Sequence, residues 1–179
     1  MYAEWVTTNR SPVPPIDDQQ DNRSEYVARQ RERMRRAMLA TPFVRSLGLR
    51  FDVFETDGAR VVLPFAEWLT NDDVHYHGGV VAAVLDTAGA AAFWAAHDYD
   101  ERLRANTISA TVHFTGAAIQ SDLICDASIV RRRTDLVFAQ AIAADSGGRL
   151  VAHGIQTYRL ARPDPGLTDA PRKADHDGK

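Results

Sequence analysis

The chain has 179 residues, 45% of them apolar, enough for one globular domain with a sizeable core. A formal net charge of −3 leaves no electrostatic footprint for nucleic acid, and the one cysteine, Cys125, excludes both an intramolecular disulfide and a thiolate zinc site. The start, Met1-Tyr2-Ala3-Glu4-Trp5, shows no charged region followed by an apolar run, and no stretch reads as a membrane span, so a cytoplasmic protein with no membrane partner is expected.

Residues 1–24, with Pro12, Pro14, Pro15 and a run of Asp and Gln, hold too little apolar surface to order themselves and are predicted to be disordered. Ser24 is the predicted cap of a helix over 25–39, with Tyr26, Val27, Met34 and Met38 as its sparse apolar side. Its basic run of Arg29, Arg31, Arg33, Arg35 and Arg36 reads as a solvated face, partly offset by Glu25 and Glu32. The stretch 41–48 is a short helix closed by Gly48. Leu49, Phe51 and Val53 then alternate with polar residues as a half-buried strand, Asp57-Gly58 marks a hairpin turn, and 61–63 returns.

Residues 71–94 open as a polar loop, pass the corner His77-Gly78-Gly79, and continue as a segment apolar on every face except for Asp86. A helix apolar all round is a buried helix, and a carboxylate within it is costly unless compensated. Four strands follow, with alternation over 107–115 and 123–129, a run over 136–144 turning at Ser146-Gly147-Gly148, and a last strand over 150–160 in which Gly154 marks a bulge or a close approach. The tail 163–179 reverts to Pro, Asp, Lys and Gly and is predicted to be disordered. The whole is α+β: one domain over 25–162, with a curved antiparallel sheet of five to six strands wrapped on one long central helix and an extra N-terminal helix.

From about Phe43 to Leu160 the chain resembles the hotdog-fold acyl-CoA thioesterases, in the branch related to the phenylacetate-pathway enzyme within the 4-hydroxybenzoyl-CoA thioesterase superfamily. The resemblance rests on Leu47-Gly48, Asp57-Gly58, Asn71, His77-Gly78-Gly79, Asp86-Thr87-Ala88, the strand over 107–114 and the turn 145–152. It implies that Asp86 is the catalytic carboxylate and that Gly78, preceded by His77, gives the backbone amide to the thioester carbonyl. It places Asn71 at the family's loop asparagine and Thr107 at the strand hydroxyl that assists the water or the carboxylate. It further implies homodimers, often paired into tetramers, with active sites made across the dimer interface. Coenzyme A is then part of the substrate, and no separate cofactor is expected. Tyr76, bulky beside the corner, departs from the family pattern and bears on loop shape and acyl group.

The same residues carry the chemistry independently. Thioester hydrolysis needs a donor for the developing oxyanion and a base or nucleophile at the carbonyl carbon. A glycine-lined helix start supplies the first and Asp86 the second. Eight residues of helix hold Gly78 and Asp86 about 12 Å apart, too far to serve one carbonyl. Either Gly78 has no part, or a second subunit contributes it; we expect Asp86 of one chain to face Gly78 of its partner. Ala82, Ala83, Gly89 and Ala90 leave room beside the carboxylate, or simply let the sheet pack closely.

His77 either orients the loop or polarises the carbonyl, and a satisfied structural histidine is as good a reading. Asn71 positions water or shapes the turn, and Thr107 is also an ordinary strand residue. Gly79 and Tyr76 are candidate substrate contacts. Arg131, Arg132 and Arg133, where two strands join, suit the phosphates of coenzyme A, against the simpler reading of a solvated hairpin end. His75, His77 and Asp86 make an incomplete ligand set, so no metal is expected. Acyl-CoA hydrolysis is the leading expectation, with a hotdog enoyl-CoA hydratase and a non-catalytic acyl-CoA-binding or regulatory module as the alternatives.

Overall fold

The computed structural model describes residues 18–100 and 102–161. The predicted disorder of 1–17 and of the tail from 163 lies outside the described residues. Helix α1 spans Asp18–Ala40 and α2 Pro42–Leu47, followed by strands β1 (Arg50–Glu55) and β2 (Gly58–Leu63). The central helix α3 spans Gly78–Trp94, and β3 (Arg104–Phe114), β4 (Leu123–Arg132), β5 (Leu136–Asp145) and β6 (Leu150–Ala161) complete the chain. The strands form one antiparallel sheet in the order β1-β2-β4-β5-β6-β3, curled about α3 in the expected hotdog arrangement.

Three local expectations change. Helix α1 begins at Asp18, so Ser24 lies inside the helix instead of capping it, and the run 18–24 is helical. The β1–β2 turn is Thr56-Asp57, not Asp57-Gly58: Glu55 pairs with Gly58, and Asp57 takes the left-handed φ of 63° that an Asp tolerates. The basic run of α1 is not merely solvated. Arg31 donates to Thr56 Oγ1 at 2.8 Å, Arg35 to the Phe51 carbonyl at 3.1 Å, and Arg33 lies 4.8 Å over the Tyr99 ring. These contacts fasten α1 across the first hairpin and the α3–β3 connection.

Gly48 closes α2 at φ 69°, and the Asp145–Gly148 turn is held by Asp145 Oδ1, which accepts from the amides of Gly147 and Arg149. Those amides and the Arg149 guanidinium lower the Asp145 pKa. Gly154 marks a close approach, since a Cβ there would stand 2.6 Å from the Thr111 carbonyl. Strand β3 departs most from the pattern. It lies at the sheet edge, and the pairing with β6 skips Ile108 between Thr107 and Ser109, a bulge that leaves Ile108 exposed, as is Phe114.

The core lies between α3 and β2, β4, β5 and β6, where Val84, Leu85, Leu63, Leu123 and Cys125 are fully buried. The helix is not covered all round: Ala82, Ala83, Asp86, Ala90 and Trp94 remain half-buried along one stripe. Burial pushes the Cys125 thiol up to about 12, so it is neutral in the folded protein, whereas an unfolded cysteine ionises near its ordinary value of 9.0. The folded pKa is raised, so this contribution to stability is complete below pH 9 and is lost as pH rises toward 12. Urea denaturation is expected to show stability falling above pH 9 by up to about 1.4 kcal/mol per pH unit from this group. Cys125→Ala is expected to flatten that slope.

Candidate functional site

Asp86 stands midway along α3 on the half-buried stripe, and two donors from the sheet grip it. Thr107 Oγ1 donates to Asp86 Oδ1 at 2.9 Å. The Tyr158 hydroxyl lies 2.8 Å from the Asp86 main-chain carbonyl and 3.2 Å from Oδ1. Thr107 and Tyr158 are directly paired residues on β3 and β6, so one rung of the sheet holds the carboxylate. The bulge at Ile108 follows Thr107 immediately and sets its direction. Thr107 and the longer, shared contact of the Tyr158 hydroxyl, whose one proton points chiefly to the main-chain carbonyl, both fall on Oδ1 and not on Oδ2.

Tyr158 is 2% exposed. Burial and the neighbouring Asp86 raise its pKa well above the ordinary tyrosine value, so it remains a protonated donor at neutral pH. Sequence reasoning missed Tyr158. The available signal was its place on the inward alternation of β6, two residues beyond Gln156 and four beyond Gly154, but nothing local said which part of α3 it would meet. Gly89 belongs to the same device: a Cβ there would lie 2.4 Å from the Tyr158 hydroxyl and 3.2 Å from Gln156 Oε1.

Asn71, Tyr76, His77, Gly78 and Gly79 gather at the N-terminal end of α3. His77 caps the helix, its Nδ1 accepting the Gly79 amide at 2.9 Å, which puts the ring proton of a neutral His77 on Nε2. The amides of Val80 and Val81 go to the His77 carbonyl. Gly78, the first helical residue, has no intrahelical acceptor for its own N–H. Gly78 lines a pocket of about 200 Å³ with Tyr76, Val81, Phe114 and Val151. Tyr76 is buried, its ring edge-on to Phe65, and its hydroxyl has no hydrogen-bond partner. Burial and nearby Asp122 push it up to about 12.

Asn71 is exposed in the preceding loop, where its main-chain N–H donates to the His75 carbonyl at 2.9 Å. His75 pairs with Asp72 at 2.8 Å, and the His75 amide and ring lower the Asp72 pKa. Thus the structure joins Thr107 to Asp86 and sets Gly78 about 12 Å away along α3, with Asn71, Tyr76, His77 and Gly79 around that end of the helix. The arginine run lies at the β4–β5 turn. Arg132 is committed to Asp57 at 2.8 Å and lies 6.0 Å over Phe93, whereas Arg131 and Arg133 are exposed. Among the described residues no three His, Cys, Asp or Glu side chains cluster as a metal site would require. Among them, too, no helix is long and apolar enough to cross a membrane.

The packing of Gly89 gives a direct test. Gly89→Ala is expected to destabilise the fold by about 1–3 kcal/mol in urea denaturation, because the added methyl must displace a buried tyrosine.

Comparison with known proteins places the chain in a family. The model of a family described as "Thioesterase superfamily" matches residues 75–152, the span that carries both the His-Gly corner and Asp86. A Halobacterium salinarum protein named "putative esterase" is 32% identical over 127 residues, covering 66% of this chain and 83% of that one. A thioesterase family protein from Silicibacter pomeroyi superimposes with a TM-score of 0.67 at 24% identity, covering 76% of this chain and 99% of its own. The E. coli PaaI protein from the phenylacetic acid degradation operon superimposes at 0.65 with 17% identity, covering 79% and 96%, a likeness of fold. The chain belongs to the thioesterase superfamily of hotdog proteins.

Proposed function

We propose that the protein hydrolyses acyl-CoA thioesters to the free acid and coenzyme A in a homodimer whose active sites are composite. The observation that carries this reading is the Asp86 carboxylate, fixed through Oδ1 by Thr107 and Tyr158 with Oδ2 free on an open stripe of α3. Oδ2 is placed to take a proton from water as that water attacks the thioester carbonyl, or to attack the carbonyl itself and form a mixed anhydride that water then opens. In either route the C–S bond breaks, the thiolate leaves and takes up a proton, and the acid is released.

The oxyanion needs its own donor, and the Gly78 N–H suits it: it sits at a helix N-terminus beside no side chain of its own, in the favourable field of the helix dipole. Because about 12 Å of helix separates Gly78 from Asp86, the donor comes from the partner subunit. Two features support such a partner. Among the described residues, strand β3 ends the sheet with no strand on its outer edge and with Ile108 and Phe114 each 55% exposed, a surface suited to pairing with a second β3. The stripe around Asp86 is open on the side the sheet does not cover. Arg131 and Arg133 are the side chains we assign to the coenzyme A phosphates, while Arg132 stays with Asp57.

Thiol release from a panel of aryl- and alkyl-CoA thioesters tests the reaction. Asp86→Asn is expected to reduce it by roughly 10²–10⁴-fold while the protein stays folded; full activity in that variant would sink the assignment. Tyr158→Phe and Thr107→Ala are expected to lower kcat about tenfold or more with little change in KM, as loss of carboxylate positioning should, and Thr107→Ser should restore it.

Gly78→Pro removes the donor alone, since Pro is well tolerated at the first helical position and His77 already has the extended backbone that a following Pro requires. Each of Asp86→Asn and Gly78→Pro is expected to be inactive by itself. Randomly mixed by co-expression, they should recover about a quarter of wild-type activity through heterodimers carrying one intact site. No recovery would rule out the composite site.

A further inference from the structure

A second cavity lies at the far end of α3 from Gly78. It measures about 640 Å³ and is floored by Met34, Met38, Pro42, Trp94, Tyr99 and Leu103, between α1–α2 and the α3–β3 connection. Arg33 over Tyr99 draws α1 against that connection and makes the helix one wall of the space. Polar groups, Arg45, Asp100 and Arg104 among them, also border it.

Two elements connect this cavity with Asp86. On α3, Asp86, Ala90 and Trp94 follow at four-residue spacing along one face, all three are half-buried, and Trp94 enters the cavity wall about 12 Å from the carboxylate. On β3, Thr107 touches Asp86, and Arg104, three residues and about 10 Å back along the strand, also lines the cavity. A helix and a strand that meet at the carboxylate therefore both run on to the same apolar chamber. On this face of α3 the residue between Asp86 and Trp94 is Ala90.

We propose that this cavity is the acyl-chain site, and that the protein takes thioesters of medium to long unbranched alkyl acids. The assignment rests on the hydrolase reading of Asp86 and adds its substrate class. A group attached at the carbonyl must extend about 10–12 Å along either element before it reaches the cavity, which an alkyl chain does and a single aromatic ring bonded directly to the carbonyl does not. The two methionines suit a flexible chain, since unbranched thioether side chains adapt to the shape of an apolar partner. Trp94 and Leu103 supply rigid apolar surface on the opposite wall.

The test measures kcat/KM for straight-chain acyl-CoA thioesters from acetyl to dodecanoyl with benzoyl-CoA alongside, and, separately, the binding of free decanoate by calorimetry. Hydrolysis is expected to improve up to roughly fourfold per added methylene over the chain lengths that enter the cavity. Ala37→Trp, which fills the cavity from α1, is expected to lower the decanoyl-to-acetyl ratio at least tenfold and to abolish decanoate binding. Leu103→Lys, which places a charge on the opposite wall, should do the same if the tryptophan variant fails to fold. Hydrolysis that does not depend on chain length, or that is best with benzoyl-CoA, would overturn the acyl-chain site while leaving the hydrolase reading intact. Decanoate binding that Ala37→Trp abolishes, with no thioester cleaved, would support the cavity and overturn the hydrolase reading instead.

Discussion

The grip of the sheet on Asp86 is the contact on which the site depends. The Tyr158 hydroxyl reaches the Asp86 main-chain carbonyl and side chain together, and Thr107 from the paired strand reaches the same side-chain oxygen. One rung of β3 and β6 therefore fixes both the height of α3 against the sheet and the direction of its carboxylate. Gly89 keeps the helix surface low enough for the tyrosine to pass. The bulge after Thr107 turns an edge-strand hydroxyl toward the helix. Each part is an ordinary packing device, and they meet at one oxygen.

The cost of a carboxylate in an apolar helix is met in two ways. Hydrogen bonds replace part of its hydration, and the sheet leaves its stripe half open instead of enclosing it. Among the described residues β3 also has no strand on its outer edge and exposes large apolar residues, a surface that proteins rarely leave bare. The proposed dimer and the proposed acyl chain would occupy different parts of this uncovered region. The partner would supply the amide at one end of the stripe, and α1 walls the chamber at the other.

Helix α1 shows how a charge pattern misleads when its surroundings are unknown. Five arginines in eight residues read as a solvated face because helical periodicity gives no hint of what lies beside the helix. In the fold, Arg31 and Arg35 bond the first hairpin and Arg33 lies over Tyr99, contacts made across sequence gaps that no local pattern encodes. His77 resolves in a similar way. Its ring caps α3 through the Gly79 amide, so its established contact is structural.

The elements and their chemistry are written in local pattern: a helix of almost unbroken apolarity with one carboxylate, a glycine corner at its start, and alternating strands that make an antiparallel sheet around it. These are local matters of periodicity, turn chemistry and the expense of a buried charge, and they are legible because they repeat over short spans. Which sheet residues meet that carboxylate is a matter of the fold. Tyr158 lies 72 residues from Asp86, and it arrives there because β6 sits beside β3 and not beside β1, a choice of strand order. The sheet order, the bulge that aims Thr107 and the side of α3 left uncovered all follow from pairing and packing between distant segments, for which the sequence carries no local signal.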